Sequence, residues 1–161
     1  MLKPKHCLAI IALFSVVSTT ASADDATWAR EANDRAEIQA VMWTFTRGLD
    51  TLDPDLFASV FTEEGLFGTT KGRPAIKAMA AGMKANAEKN KSPPTYHVVG
   101  NVSIDFQDAT HATHRAYWMA LVVSGEQGMP PRIVVAGQEA DHFVKLNGKW
   151  LIEFRDLAPK N

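Results

Sequence analysis

FVKLNGKWLIEFRD, residues 143–156, is the stretch on which the fold turns. Asn147-Gly148 signals a two-residue hairpin, because both residues tolerate the positive φ that a type I′ turn needs. Such a turn pairs Leu146 with Lys149, and strict register then pairs Ala140 with Arg155. Phe143, Trp150, Ile152 and Phe154 fall on one face; His142, Val144, Leu151, Glu153 and Arg155 fall on the other. Two antiparallel strands are therefore predicted, Arg132 to Leu146 and Lys149 to Asp156.

Working toward the N-terminus, Thr113 to Val123 reads as a long apolar strand. Tyr96 to Phe106 reads as another, with Val98, Val102, Ile104 and Phe106 in period two. Lys91-Ser92-Pro93-Pro94 breaks the chain before it. The preceding half is helical. Arg73-Pro74 opens a helix through about Ala87, with Ile76, Met79, Ala80 and Met83 facing inward. Leu66 to Thr70 is a short strand. Asp53-Pro54 supplies an N-cap and a first-turn proline for a short helix that buries Leu56, Phe57, Val60 and Phe61 and stops near Gly65. The first helix covers Asp34 to about Leu49, with an earlier turn allowed around Trp28. Ile38, Val41, Met42, Phe45 and Leu49 form its apolar stripe, and Asp34 with Glu37 has capping-box spacing. Helices grouped first and antiparallel strands grouped after them indicate an α+β domain. A bent sheet wrapped over helices leaves an apolar cavity between the layers, where small-molecule pockets usually lie.

The first residues stand outside this pattern. Lys3, Lys5 and His6 precede an apolar run from Leu8 to Val17, and small residues end in Ala21-Ser22-Ala23. These are the marks of a secretory signal peptide, and the run is too short to span a membrane. The expectation is a leader over residues 1–23, cleavage after Ala23, one domain over residues 24–161, and a secreted or periplasmic product without membrane attachment. Cleavage leaves 161 − 23 = 138 residues and shifts the charge from 17 − 18 = −1 to 15 − 18 = −3. Without a basic excess, nucleic acid is not an expected partner. Cys7, the one cysteine, leaves with the leader, so neither a disulfide nor a thiol nucleophile is expected.

The segments RAEIQAVMWTFTRGLDTLDPDLFASVFTEEG, KGRPAIKAM, YHVVGNVSI and HFVKLNGKWLIEFRDL, in that order, make the chain resemble the SnoaL-like part of the nuclear transport factor 2-like superfamily. The resemblance implies a cone-shaped curved antiparallel sheet over N-terminal helices, and pairing into a homodimer through the sheet's outer face. Relatives include dehydratases, dehydrochlorinases, cyclases, isomerases, epoxide hydrolases and plain binding or assembly domains, since one fold hosts many functions. The segments around Asp50 and His97 look most like the branch of scytalone dehydratase and hexachlorocyclohexane dehydrochlorinase, which uses an Asp-His pair as the base of an elimination. Arg155 sits where the dehydrochlorinase places an arginine. Leu49 beside Asp50, and Phe67 in the first strand, depart from the tyrosine-rich site of scytalone dehydratase.

The implied pair makes chemical sense. A neutral imidazole takes a proton from carbon, and a carboxylate on its other nitrogen sets the tautomer and stabilises the cation that forms. Each residue also has a plainer reading. Asp50 could end the first helix at the surface, although Asp53 is the better cap. His97 could be an exposed residue at a strand start; strict alternation puts it with Val99, Asn101 and Ser103, unless Gly100 marks a bulge. Arg155 is either a solvated or dimer-facing partner of Glu153, or a fixed cation for a leaving anion. Trp43, Thr46, Phe67, Met79, Met83 and Trp118 are candidate linings for a small apolar molecule. His111 and His114 read as surface histidines without a third zinc ligand, so no metal is expected. Glu139 and Asp141 receive no role, and epoxide hydrolysis lacks the second carboxylate it would need near Arg155. The loop Ser124 to Pro131 could rim a pocket or an interface. No cofactor fingerprint is present. Two functions follow: a cofactor-free lyase or isomerase, or a non-catalytic binding or dimerising domain.

Overall fold

The structure is a computed structural model and describes residues 23–123 and 129–159. The expected leader, apart from Ala23, and residues 124–128 of the Ser124–Pro131 loop lie outside them. The elements run α1 (Ala23–Asp50), α2 (Pro54–Ser59), β1 (Phe61–Phe67), β2 (Thr70–Lys71), α3 (Arg73–Asn90), β3 (Thr95–Phe106), β4 (His111–Val122), β5 (Arg132–Leu146) and β6 (Lys149–Asp156). One six-stranded curved sheet has the order β2-β1-β6-β5-β4-β3. Every junction is antiparallel except β1 with β6, which is parallel, so the sheet is mixed. Among the described residues no helix is long and apolar enough to cross a membrane.

α1 buries Ile38, Met42 and Phe45 against the sheet. It starts well before Asp34, which is therefore not a cap but a buried mid-helix acid. Its Oδ1 accepts from Lys145 Nζ at 2.5 Å and from Trp150 Nε1 at 3.0 Å, tying α1 to the closing hairpin. α2 opens as expected, with the Asp53 carboxylate accepting from the amides of Asp55 and Leu56. It ends at Ser59, sooner than the sequence suggests. Phe61 and Thr62 enter β1 because the Val60 carbonyl accepts from Ile152 N–H at 2.8 Å, a long-range partner invisible to local pattern. Phe45, Phe57, Phe61 and Phe67 then share one aromatic cluster, with centroids 4.8–6.2 Å apart. Such tilted and edge-on pairs add roughly 0.5–1.5 kcal/mol each beyond area burial.

Two irregularities in the strands position the site. In β3 the pairing with β4 steps between Gly100 and Ser103, with Asn101 at φ 52°. This bulge puts His97 and Val99 on the same inner face as Ile104, which strict alternation denies. In β6 Ile152 faces Phe143 but Phe154 faces His142, so Glu153 is an extra residue. Arg155 consequently lies opposite Asp141, not Ala140. It turns inward with Trp150 and Ile152, while Phe154 stacks on His142 at 5.7 Å. The turn between β5 and β6 is as predicted, with Asn147 at φ 52° and Gly148 at φ 77°.

Candidate active site

Asp50 is the last residue of α1, and His97 is the third of β3. Their side chains meet, with His97 Nδ1 2.7 Å from Asp50 Oδ1. The backbone N–H of His97 donates to the same oxygen at 3.1 Å. One carboxylate oxygen thus anchors both the strand and the ring. An Nδ1–H facing that oxygen leaves the other ring nitrogen, Nε2, as the basic atom, and no described residue hydrogen-bonds to it. The pair is largely but not fully buried: 18% of the His97 side chain and 9% of the Asp50 side chain remain exposed.

Beside His97 lies a mostly apolar cavity between sheet and helix. Thr46 and Leu49 of α1, Phe67 of β1, Val99 of β3, Trp118 of β4 and Arg155 of β6 line it. Its outer part continues past Thr46 and His97 to Gln39, Met42, Trp43, Val102 and His114. Thr46, Phe67 and Trp118 are thus brought together on the wall of one cavity. Trp118 reaches it because β5 has Gly137 beneath it, where a Cβ would stand 3.1 Å from the indole ring. Trp43 reaches only the outer part and is 64% exposed, with the Arg47 guanidinium over its ring. Met79 and Met83 do not join the cavity. Met79 packs against the core, its sulfur 3.6 Å from Thr70 Oγ1. Met83 is half-exposed over a separate crevice with Leu52 and Phe57.

The far wall differs most from expectation. Ile104, His114, Asp141 and Arg155 are cross-strand neighbours in one row across β3, β4, β5 and β6, and all four are buried. Glu139 follows two residues along on the same face and is 1% exposed. Arg155 donates from Nη1 to Asp141 at 2.7 Å and from Nη2 to Glu139. Its guanidinium lies 4.1 Å over the Phe45 ring. Arg155 is thus neither a solvated partner of Glu153 nor a free cation, since both its amino groups are held by carboxylates. Glu139 and Asp141 do have a place. The second carboxylate near Arg155 exists, and the Glu153 bulge is what hid it from a strict register.

His114 is corrected likewise. It is 1% exposed, with Nδ1 3.3 Å from Asp141 and 3.9 Å from Glu139. His111 is exposed and pairs with Asp108. His114, Glu139 and Asp141 could each offer one atom to a metal within 4.8 Å, but Arg155 already engages an oxygen of both carboxylates. Burial pushes the Glu139 carboxyl above its ordinary range, the attraction of Arg155 opposes this, and the repulsion of Asp141 adds to it. The inward run Glu139, Asp141, Phe143 in β5 was the available signal, since two acids on the face of a core phenylalanine require a partner.

The comparisons agree with this fold. A candidate scytalone dehydratase from Novosphingobium aromaticivorans has 25% identity and a TM-score of 0.65, over 81% of this chain and 86% of that one. A nuclear transport factor 2-like protein with a cystatin-like fold from the same organism has 22% identity and a TM-score of 0.70, over 83% and 86%. A protein of unknown function from Mycobacterium tuberculosis has 23% identity and a TM-score of 0.64, over 80% and 77%. No curated protein matches the sequence. The SnoaL-like domain family matches residues 30–156, which take in the whole sheet and the inner part of α1, and the chain belongs to that family.

Proposed function

We propose that this protein is a cofactor-free lyase or isomerase that removes a proton from carbon in a small, mostly apolar molecule. His97 Nε2 is the base. Asp50 holds the Nδ1 proton, sets the tautomer and stabilises the imidazolium as it forms. Leu49, Phe67, Val99 and Trp118 enclose the apolar part of the substrate. Arg155 walls the cavity beside them, its charge shared with Glu139 and Asp141. The likeness to a candidate scytalone dehydratase is in keeping with an elimination, in which a second group leaves the adjacent carbon. The observation that carries the reading is the 2.7 Å contact between Asp50 and His97 at the edge of an apolar cavity. Export to the periplasm or beyond, and pairing into a homodimer, belong to the same proposal.

The test is deuterium exchange and elimination on a panel of ketones bearing a β-hydroxyl or β-halogen, with the parent compared with His97→Ala. The expected loss is about 10²–10⁴-fold, the usual worth of a positioned base. Equal rates for the two proteins remove the base assignment. The same apolar walls would also serve a binding domain that does no chemistry, and binding of the ketones without exchange or elimination would favour that reading.

A further inference from the structure

One threonine hydroxyl of α1 opens on the cavity with nothing in the protein to bond. We propose that Thr46 Oγ1–H is the donor that receives a carbonyl oxygen, so that the substrate is a ketone or aldehyde whose acidic C–H adjoins that carbonyl. The inference rests on the proton-abstraction reading above and names the substrate class of that site.

Thr46 lies one turn before Asp50 on α1. It is 7% exposed and is shared by the inner and outer parts of the cavity. A threonine within a helix commonly turns its hydroxyl back to the carbonyl one turn earlier. The other threonines of α1 do so. Thr27 Oγ1 donates to the Ala23 carbonyl at 3.0 Å and Thr44 Oγ1 to the Ala40 carbonyl at 2.9 Å. Thr51, just past the helix end, donates to the Arg47 carbonyl at 2.7 Å. Among the described residues Thr46 Oγ1 has no such bond and no other partner. The unpartnered polar atoms sealed in the interior belong to His114, Glu139, Asp141 and Arg155. Thr46 Oγ1 is not one of them, so it opens on the space it lines. An unpartnered hydroxyl on a mostly apolar wall costs stability and calls for a reason. A ligand oxygen supplies one.

The other polar groups of the inner cavity are committed. His97 gives Nδ1 to Asp50 and keeps Nε2 as the base. Trp118 turns Nε1 to the Gln138 carbonyl at 3.4 Å. Arg155 has a carboxylate on each amino group, and its Nε is buried. The remaining walls, Phe45, Leu49, Phe67, Val99 and Leu157, are apolar. One uncommitted hydroxyl among apolar walls suits a molecule that is apolar except for one oxygen.

The chemistry asks for that oxygen at the same place. The C–H electron pair becomes a C=C bond, the C=O π pair moves to oxygen, and the proton goes to His97 Nε2. The oxygen now carries the charge and draws the Thr46 hydrogen bond tighter, since bonds to an ionised acceptor are about twice as strong as neutral ones. Thr46 therefore favours the transition state over the bound ketone. Return of a solvent-exchanged proton from His97 completes exchange. Expulsion of a group from the next carbon, with its bonding pair, completes elimination.

The probes are acetophenone and α-methylstyrene, in which a methylene group replaces the oxygen. The parent is compared with Thr46→Val, which keeps the shape and loses the donor, and with Thr46→Ser, which keeps the donor. Valine removes a hydroxyl that no protein group bonds, so the thermal midpoint should hold or rise. Thr46→Val is expected to exchange the methyl hydrogens of acetophenone for deuterium about 100-fold more slowly, the low end for one donor to a developing oxyanion, and mostly through kcat. It should bind acetophenone about 2–10-fold more weakly, the worth of one neutral hydrogen bond, and α-methylstyrene as before. Thr46→Ser should keep most of the parent rate. The infrared carbonyl stretch of bound acetophenone, lowered by the hydrogen bond in the parent, should rise in the valine variant. A valine variant that matches the parent in affinity and carbonyl stretch overturns the proposal, as do equal losses in valine and serine. A parent that does not prefer the ketone to the hydrocarbon overturns the substrate class. If His97→Ala exchanges as fast as the parent, the base reading falls, while the affinity and infrared results still decide whether Thr46 holds the oxygen.

Discussion

Asp50 Oδ1 receives two hydrogen bonds from one residue, the ring and the backbone N–H of His97. The carboxylate therefore positions the ring twice, once directly and once by fixing the strand that carries it. Asp50→Asn tests which matters. An amide oxygen still accepts from the backbone, so the strand stays in place. It offers no negative charge to an imidazolium and sets the tautomer less firmly. The expected result is an unchanged thermal midpoint with a loss of about 10²–10⁴-fold in exchange or elimination rate. A large drop in midpoint with no change in rate per folded molecule would make Asp50 a structural residue only.

Arg155 makes a separate prediction about stability. Replacing it with Met leaves two buried carboxylates facing each other, and breaking a buried pair typically costs about 3–5 kcal/mol. Glu139→Gln behaves differently because burial holds the Glu139 carboxyl above the 4.5 of a free one, with Asp141 repulsion adding and Arg155 attraction opposing. A group whose folded pKa is raised contributes stability that is complete below its unfolded pKa and is lost as pH rises through the folded value. Below about pH 4.5 the parent and Glu139→Gln should therefore differ by a constant amount. Above it, urea midpoints should move in favour of the glutamine as pH climbs toward neutrality. A pH-independent difference would show that the folded protein does not raise Glu139.

Much of this was legible before any coordinates. The NG turn located the last hairpin, and the grouping of helices before strands set the fold class. What stayed hidden were the places where one residue is added to a strand. Asn101 in β3 and Glu153 in β6 each reverse the face of everything beyond them. Gly100 hinted at the first. Nothing local marked the second, because Glu153 needs no positive φ there and no glycine flags it, while the buried partners of Arg155 lie far off in sequence. His114, Glu139 and Asp141 were missed for the same reason: their partner had been put on the wrong face. Asp34 was missed because a capping motif and a mid-helix buried acid look identical without knowledge of where the helix begins.

That acid gives a pH prediction of opposite sign. Burial alone would raise the Asp34 carboxyl, but hydrogen bonds from Lys145 and Trp150 outweigh it and hold the group below the ordinary 3.8. A depressed folded pKa contributes stability that is present above the unfolded pKa and lost as pH falls through the folded value. Asp34→Asn should cost about 1.5–3 kcal/mol at neutral pH, the range for hydrogen bonds to charged groups. The gap to the parent should narrow only below about pH 4. Guanidinium titrations at several pH values would check it, and a gap that closed near neutrality would contradict the assigned pairing.

Gly48 tests how rigidly α1 is seated, and so how firmly Asp50 is delivered to His97. A Cβ at Gly48 would lie 2.5 Å from the backbone nitrogen of Phe57 and 2.7 Å from its Cα. Backbone cannot rotate away as a side chain can, so Gly48→Ala must push α1 from α2. Overpacking of this kind costs typically about 1–3 kcal/mol. Because Asp50 is two residues further on, the displacement should also lengthen the Asp50–His97 contact and lower turnover in the folded fraction. Gly82→Ala is the control: that glycine sits in α3 with nothing within 4 Å of an added Cβ. In an exposed helix this change should stabilise by about 0.5–1 kcal/mol. If both alanines raised the thermal midpoint, the close seating of α1 on α2 would be wrong, and with it the geometric basis for a fixed Asp50.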